Sequence, residues 1–429
     1  MNKLINLNSI TKINVFISLL CALNLRSSGK YTFLIYVYVL SSMNIIFMPF
    51  LKLFSIASII DELCVLLLAI YSINKIRLSK NIEIVICFSI LVFYLAYSLL
   101  LHINKPIATI YDFIISVKPF ICFYVASVLT VRINERLKEK LRNLYIIFGL
   151  YCLAISPFIS YIYSNTTAFY PACILCSVSY LFFSERKKSD WIIALFILTP
   201  GLLSIRAKFY TEFVLFVFIA FFLKDRIRVN IKWGFIISIL AVLTIYISWE
   251  KFSLYFITGV EEGMARTMFY VKGVNVLKEY TFFGSGFGTY ATEAAAKFYS
   301  PLYAKYGLDN IWGLREIDYN TSSNFLTDTF YPALSQFGVF GIFLYFYFWY
   351  KRWKAGLTLK KESYKIFVFL FVVELIQNIA DNSFTGPFGV PCMMMLGLLI
   401  SEQKTIMKKK KQTLRIIKGL NIICDKDKS

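Results

Sequence analysis

Apolar runs about as long as a bilayer is thick recur from one end of this chain to the other, and that limits what it can become. A helix needs roughly 20 apolar residues to cross the hydrocarbon core. Twelve stretches meet that description, near 31–48, 53–73, 82–101, 109–130, 143–162, 168–183, 191–204, 209–223, 233–249, 331–350, 364–381 and 386–401. Strands of a membrane barrel would be shorter and would alternate polar with apolar residues. The 58% of hydrophobic residues also exceeds the ~45–50% usual in soluble domains. The expectation is an all-α, polytopic integral membrane protein with about twelve transmembrane helices. The stretch 13–25, "INVFISLLCALNL", is short, and reads as an interfacial helix or an extra span. No small-residue cleavage pattern follows the first apolar run, so no removable signal peptide is expected.

The formal net charge of +21 would suggest nucleic acid in a soluble protein. Here the placement of the charge argues against that partner. Lys and Arg crowd into "NKIRLSK" (74–80), "VRINERLKEKLR" (131–142), "ERKKSD" (185–190), "KDRIRVNIK" (224–232), "KRWKAGLTLKKE" (351–362) and the tail that begins "KKKK" (408–411). The loops between, such as "HINKP" (102–106) and "YSNTTAF" (163–169), are poor in them. Positive residues stay on the cytoplasmic side, so the alternation sets the topology, with a cytoplasmic C-terminus. Of nine cysteines, eight lie in apolar runs. Cys173 and Cys176 form a CxxC within one such run, without a second pair or a histidine nearby, and read as small buried hydrophobes. His102 is the sole histidine, so no metal site is expected.

One segment breaks the rhythm. Residues 250–330 form an outside loop of nearly balanced charge between two spans. Loops of that length without a function are uncommon. The chain therefore divides into an N-terminal helix bundle (1–249), the large outer loop (250–330), C-terminal membrane helices (331–401) and a basic tail (402–429). Within the loop, "ATEAAAKFYSPLYAKYG" (291–307) starts with good helix formers, and a short helix broken at Pro301 is expected.

Three features could carry chemistry. "FFGSGFGTY" (282–290) holds Gly284, Gly286 and Gly288. It is neither a dinucleotide fingerprint, since Thr289 stands where the third glycine would fall, nor a P-loop, since no GK[ST] follows. It reads as a tight turn or as a source of backbone N–H groups for an anion. "SIRAKFYTE" (204–212) puts Arg206 and Lys208 on the cation-poor outer side, beside Tyr210, which is costly without a use. In "ARTMFYVKGVNVLKEY" (265–280), read as a helix, Arg266, Tyr270 and Gly273 share a face. Charges also stand within spans: Asp61, Glu62, Asp112, Lys118 and Glu374. Of these, Asp112 is placed to approach the outer side, and Lys118 to pair with a carboxylate on another helix.

The order of these pieces resembles the O-antigen polymerase and ligase superfamily of bacterial membrane glycosyltransferases. The matching parts are Ser204-x-Arg206 at an outer helix end, a long late outer loop opened by Arg266, the G-x-G-x-G about twenty residues on, and "SSNFLTD" (322–328) leading into "QFGVFG" (336–341). The match covers roughly residues 190–350. It implies a GT-C-like architecture in the bacterial inner membrane, with the large loop periplasmic. The implied activity joins undecaprenyl-pyrophosphate-linked oligosaccharide repeat units by glycosyl transfer, without a cofactor and beside a chain-length regulator protein. Ligases of the superfamily carry a histidine where this chain has Ser323, so polymerase is favoured over ligase, with a lipid-linked oligosaccharide flippase as a further alternative.

On that reading Arg206, Arg266 and Arg315 grip the pyrophosphate, because a guanidinium stays charged and binds phosphate oxygens in bidentate fashion. Glu316 and Asp318 are the favoured bases among the loop carboxylates, which include Glu293 and Asp328. Lys208, Tyr210, Lys272, Gly284, Gly286, Gly288, Tyr290, Asn324 and Asp328 are expected to contact substrate. Aromatic platforms for sugar rings are sought among Tyr290, Tyr299, Tyr303, Tyr306, Trp312 and Tyr319.

Overall fold

The computed structural model describes residues 32–49, 57–73, 75–76, 81–129, 133–162, 168–224, 226–227, 246, 249, 253–321 and 324–405. Among these residues the regular structure is entirely helical. The stretches 13–25 and most of 233–249, Ser323, and the tail beyond residue 405 lie outside the described residues.

Helices stand at eleven of the twelve stretches read as spans. They are α1 (Phe33–Ile46), α2 (Ala57–Ile73), α3 (Ile82–Leu101), α4 (Pro106–Val128), α5 (Glu135–Ile155), α6 (Phe169–Phe183), α7 (Lys188–Leu198) and α8 (Ala207–Val217). After the outer loop and its helix α9 (Ala265–Glu279) come α10 (Gly338–Gly356), α11 (Lys361–Gln377) and α12, residues 389–405. Among the described residues, four helical segments are long and apolar enough to cross a membrane: Ile82–Leu101, Pro106–Val128, Glu135–Ile162 and Tyr331–Gly356. The others are shorter, and several end in 3₁₀ or π turns that carry the chain further.

Burial explains the arrangement. Every residue of α6 is buried, as a helix that is apolar all round must be in a bundle. It packs against α5, α7 and α1. Most of α11 and α12 is buried too. By contrast α3 buries only Ile84, Tyr94 and Ser98 and turns Leu100, Ile82 and Val92 outward. Such a helix needs an apolar surrounding, which lipid supplies. Lys118, beside the helix-interior Pro119 of α4, pairs with Asp61 at 3.0 Å and Glu62 at 3.5 Å on α2. A buried cation requires a partner of this kind.

The loop 250–330 builds a small core of its own around Phe269, Tyr290, Tyr303, Leu308, Leu314 and Leu326. Thr292 caps the short helix Glu293–Lys297 by accepting from the Ala295 N–H, and Pro301 opens a second one, Pro301–Lys305, rather than merely ending the first.

The glycine stretch fastens this loop to the bundle. Gly284, Gly286 and Gly288 all have left-handed φ, at 77°, 90° and 72°, a conformation open to glycine and strained for other residues. Side chains would also collide there. A β-carbon on Gly286 would lie 2.6 Å from Ser98 Oγ, one on Gly288 2.7 Å from the Ala108 carbonyl, and one on Gly284 would run into the backbone at Gln336. The chain thus threads between α3, α4 and the start of α10 with backbone in direct contact.

Candidate functional site

Cations expected on the outer side come together from separate elements. Ile205 ends the 3₁₀ turn Thr199–Ser204 with a left-handed φ of 52°, an outlier for a β-branched residue. Strain of that sort gathers at functional positions. It turns the chain from α7 into α8 and puts Arg206 at the N-cap of α8, with Lys208 the second residue of the helix. Lys208 Nζ lies 3.0 Å from Asp381 Oδ2, just past the end of α11, and 5.6 Å from the Tyr170 ring centre. Arg266, second residue of α9, lies 2.5 Å from Asp328 Oδ2, with its guanidinium 5.4 Å from the Phe325 ring. The charges of Lys208 and Asp381 act on Asp328, and those of Arg206 and Arg266 act on Tyr170. Two adjacent ion pairs, with Arg206 beside them, therefore occupy one patch.

Both pairs are only partly covered. The side chains of Arg266 and Asp328 keep 22% and 32% of their exposure, which leaves room for an incoming anion to compete for the guanidinium. The positive end of α9 adds to the field, since Met264 provides no side-chain cap. Burial pushes the Asp328 carboxyl above its ordinary range, against the pull of Arg266.

Arg266 borders two cavities. One, of about 160 Å³, is apolar and lies between α9 and the end of α11, with Val260, Tyr270, Val271 and Ile379 in its wall. The Tyr270 hydroxyl donates to the Ile379 carbonyl at 2.6 Å and holds the two elements together. The other, of about 370 Å³, opens toward the loop and presents Glu262, Asn310, Trp312 and Phe325. Trp312 is 61% exposed, and its ring lies 5.7 Å from that of Phe325. A third cavity, of about 190 Å³, is lined mainly by apolar and aromatic groups of α3, α4 and α10, and reaches Phe330 and Thr385, near in the chain to Asp328 and Asp381.

Several residues expected at the site lie elsewhere. The three glycines offer no amide to a ligand. Gly284 donates to the Tyr280 carbonyl at 2.9 Å, Gly286 to the Gln336 carbonyl at 2.8 Å and Gly288 to Asp112 Oδ2 at 2.8 Å. The motif is a turn and a packing element. Asp112 also accepts from Gln336 at 3.0 Å, so it anchors the loop instead of reaching the cations. Tyr290 is fully buried and donates to the Phe269 carbonyl, and Tyr303 is buried likewise, so neither is a platform for a ring.

Asp318 is closed off as a base. It accepts from the Gly313 and Arg315 N–H groups and from the Arg315 guanidinium, at 2.8–3.2 Å. That guanidinium, with the two amides, holds its carboxyl below the usual range. Arg315 is thereby tied into its own turn, and Glu316 next to it is exposed. Glu293 accepts from the Tyr319 hydroxyl. Asn324 forms a local turn, accepting from the Leu326 N–H and donating to the Tyr319 carbonyl. Lys272 is half-buried, about 240° around α9 from Arg266. Tyr210 donates to the Leu202 carbonyl at 3.3 Å and steadies the turn before Arg206.

One partner, Asp381, is not evident from the sequence. Asp381 was placed at the last residue of a span, where nothing distinguished it from a helix-end charge. Glu212, one turn beyond Lys208, is fully buried. No family model, curated protein or solved structure matches this chain.

Proposed function

We propose that the chain is a membrane glycosyltransferase that joins repeat units carried on a polyprenyl pyrophosphate, at the outer face of a bacterial inner membrane. The observation that carries this reading is the position of Arg266, between an apolar crevice and a wider cleft that presents Glu262, Asn310 and an exposed tryptophan. A lipid-linked sugar has the same three parts in the same order: apolar chain, diphosphate, glycan. The diphosphate draws Arg266 away from Asp328 and takes Lys208 and Arg206 as further partners. Trp312 and Phe325 offer faces to a sugar ring, and Asn310 and Glu262 offer hydrogen bonds to its hydroxyls.

Asp328, released from Arg266, is the base. The acceptor hydroxyl oxygen bonds to the donor's anomeric carbon, and the bond from that carbon to the phosphate oxygen breaks. The electron pair leaves with the pyrophosphate, and the hydroxyl proton passes to the Asp328 carboxylate. The reaction has two lipid-borne partners, and the third cavity offers a second apolar surface that reaches Phe330 and Thr385.

The test is the surface polysaccharide of cells that lack the chain. A lipid A core capped with one repeat unit supports the polymerase. Bare core with polymer accumulating on the lipid carrier means ligase, and bare core with single units trapped inside means flippase.

A further inference from the structure

Beneath the ion pairs lies a carboxyl group with nothing to bond to. Glu212 projects from α8 with none of its surface exposed, and neither carboxylate oxygen has a hydrogen-bond partner among the described residues. From α11 the Gln377 side-chain amide, 2% exposed, approaches it without hydrogen-bonding geometry, and its nitrogen is unpartnered too. Glu374, one turn earlier on α11 and also fully buried, holds a second orphaned oxygen, Oε2, while Oε1 accepts from Asn378 at 3.3 Å. The charged and titratable groups facing this pocket are few. Lys208 lies one turn before Glu212 on α8, Asp381 past the end of α11, and the buried Tyr170 on α6, while Cys392 of α12 faces Glu374. Among the described residues the cation close to Glu212 is Lys208, which already sits on Asp381 at 3.0 Å.

An ionised carboxylate enclosed without a donor is among the costliest groups to bury, and two carboxyls in one apolar enclosure do not both ionise. We propose that this pocket is a proton-binding site in which Glu212 is held as the neutral acid, and that its proton positions Lys208. The argument for positioning is local. Residues four apart on a helix are neighbours, so an ionised Glu212 would compete with Asp381 for Lys208 and draw the ammonium inward. A neutral Glu212 leaves Lys208 at the outer patch. Glu212 is thus a positioning residue. The proton itself stands independently of the function proposed above, whereas the effect on turnover rests on that reading.

The test uses the full-length protein in liposomes. Infrared spectra at neutral pH are compared for the wild type and Glu212→Gln, and a hydrophobic carbodiimide, which attacks protonated buried carboxyls, is mapped by mass spectrometry. The proposal expects a protonated-carboxyl band that disappears in Glu212→Gln, and carbodiimide label on Glu212 that is lost as the pH is raised. It also expects the alkaline fall in sugar transfer to move to higher pH in Glu212→Gln, because glutamine cannot ionise. Absence of the band and of the label overturns the site, as does label blocked by sodium at constant pH, which would make it a cation site. A protonated Glu212 with an unchanged pH profile overturns its positioning role. A protonated Glu212 in a protein without any transfer activity counts against the glycosyltransferase reading and leaves the proton site standing. The labelling needs only the wild-type chain, so it decides the matter even where Glu212→Gln misfolds.

Discussion

Arg266 carries the greatest weight of any single residue, because its guanidinium joins an ion pair, an aromatic ring and two cavities. Arg266→Ala removes the charge and the fork, and at about 1.5–3 kcal/mol for a charge-assisted bond it should cut transfer by roughly 10- to 150-fold per bond lost, with membrane expression intact. Arg266→Lys keeps the charge and loses the bidentate geometry, so it should fall between. Polymer gels from cells expressing each variant read this out, and full-length polymer from Arg266→Ala would contradict the role. Asp328 has a pH signature. Its carboxyl titrates above the ordinary range, and only the ionised form accepts a proton, so transfer should decline as the pH falls through that raised value. Asp328→Asn should be slow and flat over the same range, and an unaltered acid limb in that variant would assign the base elsewhere.

At the scale of elements, the glycine stretch is a fastening and not a binding loop. Gly286→Ala puts a methyl against Ser98 and forces a left-handed φ on alanine. It should destabilise the fold by roughly 1–3 kcal/mol and loosen the loop from α3, with faster proteolysis between residues 280 and 340 as the readout. Equal resistance to protease would contradict the docking role. The sequence already contained the turn, since no residue but glycine serves at three such positions so close together. It could not say whether the amides faced inward or outward, because that depends on Ser98, Asp112 and Gln336, which are distant in the chain. The same limit misled the search for a base. Asp318 looked well placed beside Arg315, yet the turn that joins them takes up the carboxylate oxygens that catalysis would need. Among the loop aromatics, burial alone separates Trp312 from Tyr290 and Tyr303, and no local pattern foretells it.

Over the whole molecule, helix positions were legible because a 20-residue apolar run has few other outcomes, and eleven of the twelve stretches coincide with helices. Lengths were less legible. Proline and 3₁₀ turns cut several helices short, and among the described residues four segments remain long and apolar enough to cross a membrane. The grouping of Arg206, Lys208, Arg266 and Asp328 was legible from topology, since all four were assigned to one face of the membrane. Lys208 finds its partner in Asp381, whose importance only the packing of α8 against α11 reveals.

The central claim is that this protein lengthens a lipid-linked glycan, and purified protein in liposomes tests it most directly. Supplied with a polyprenyl-pyrophosphate oligosaccharide alone, the wild type should produce a ladder of longer glycans and release one polyprenyl pyrophosphate for each unit joined, and Arg266→Ala should do both at least roughly 10-fold more slowly. Folded wild-type protein that leaves single units unchanged, with no pyrophosphate carrier released, would contradict the account.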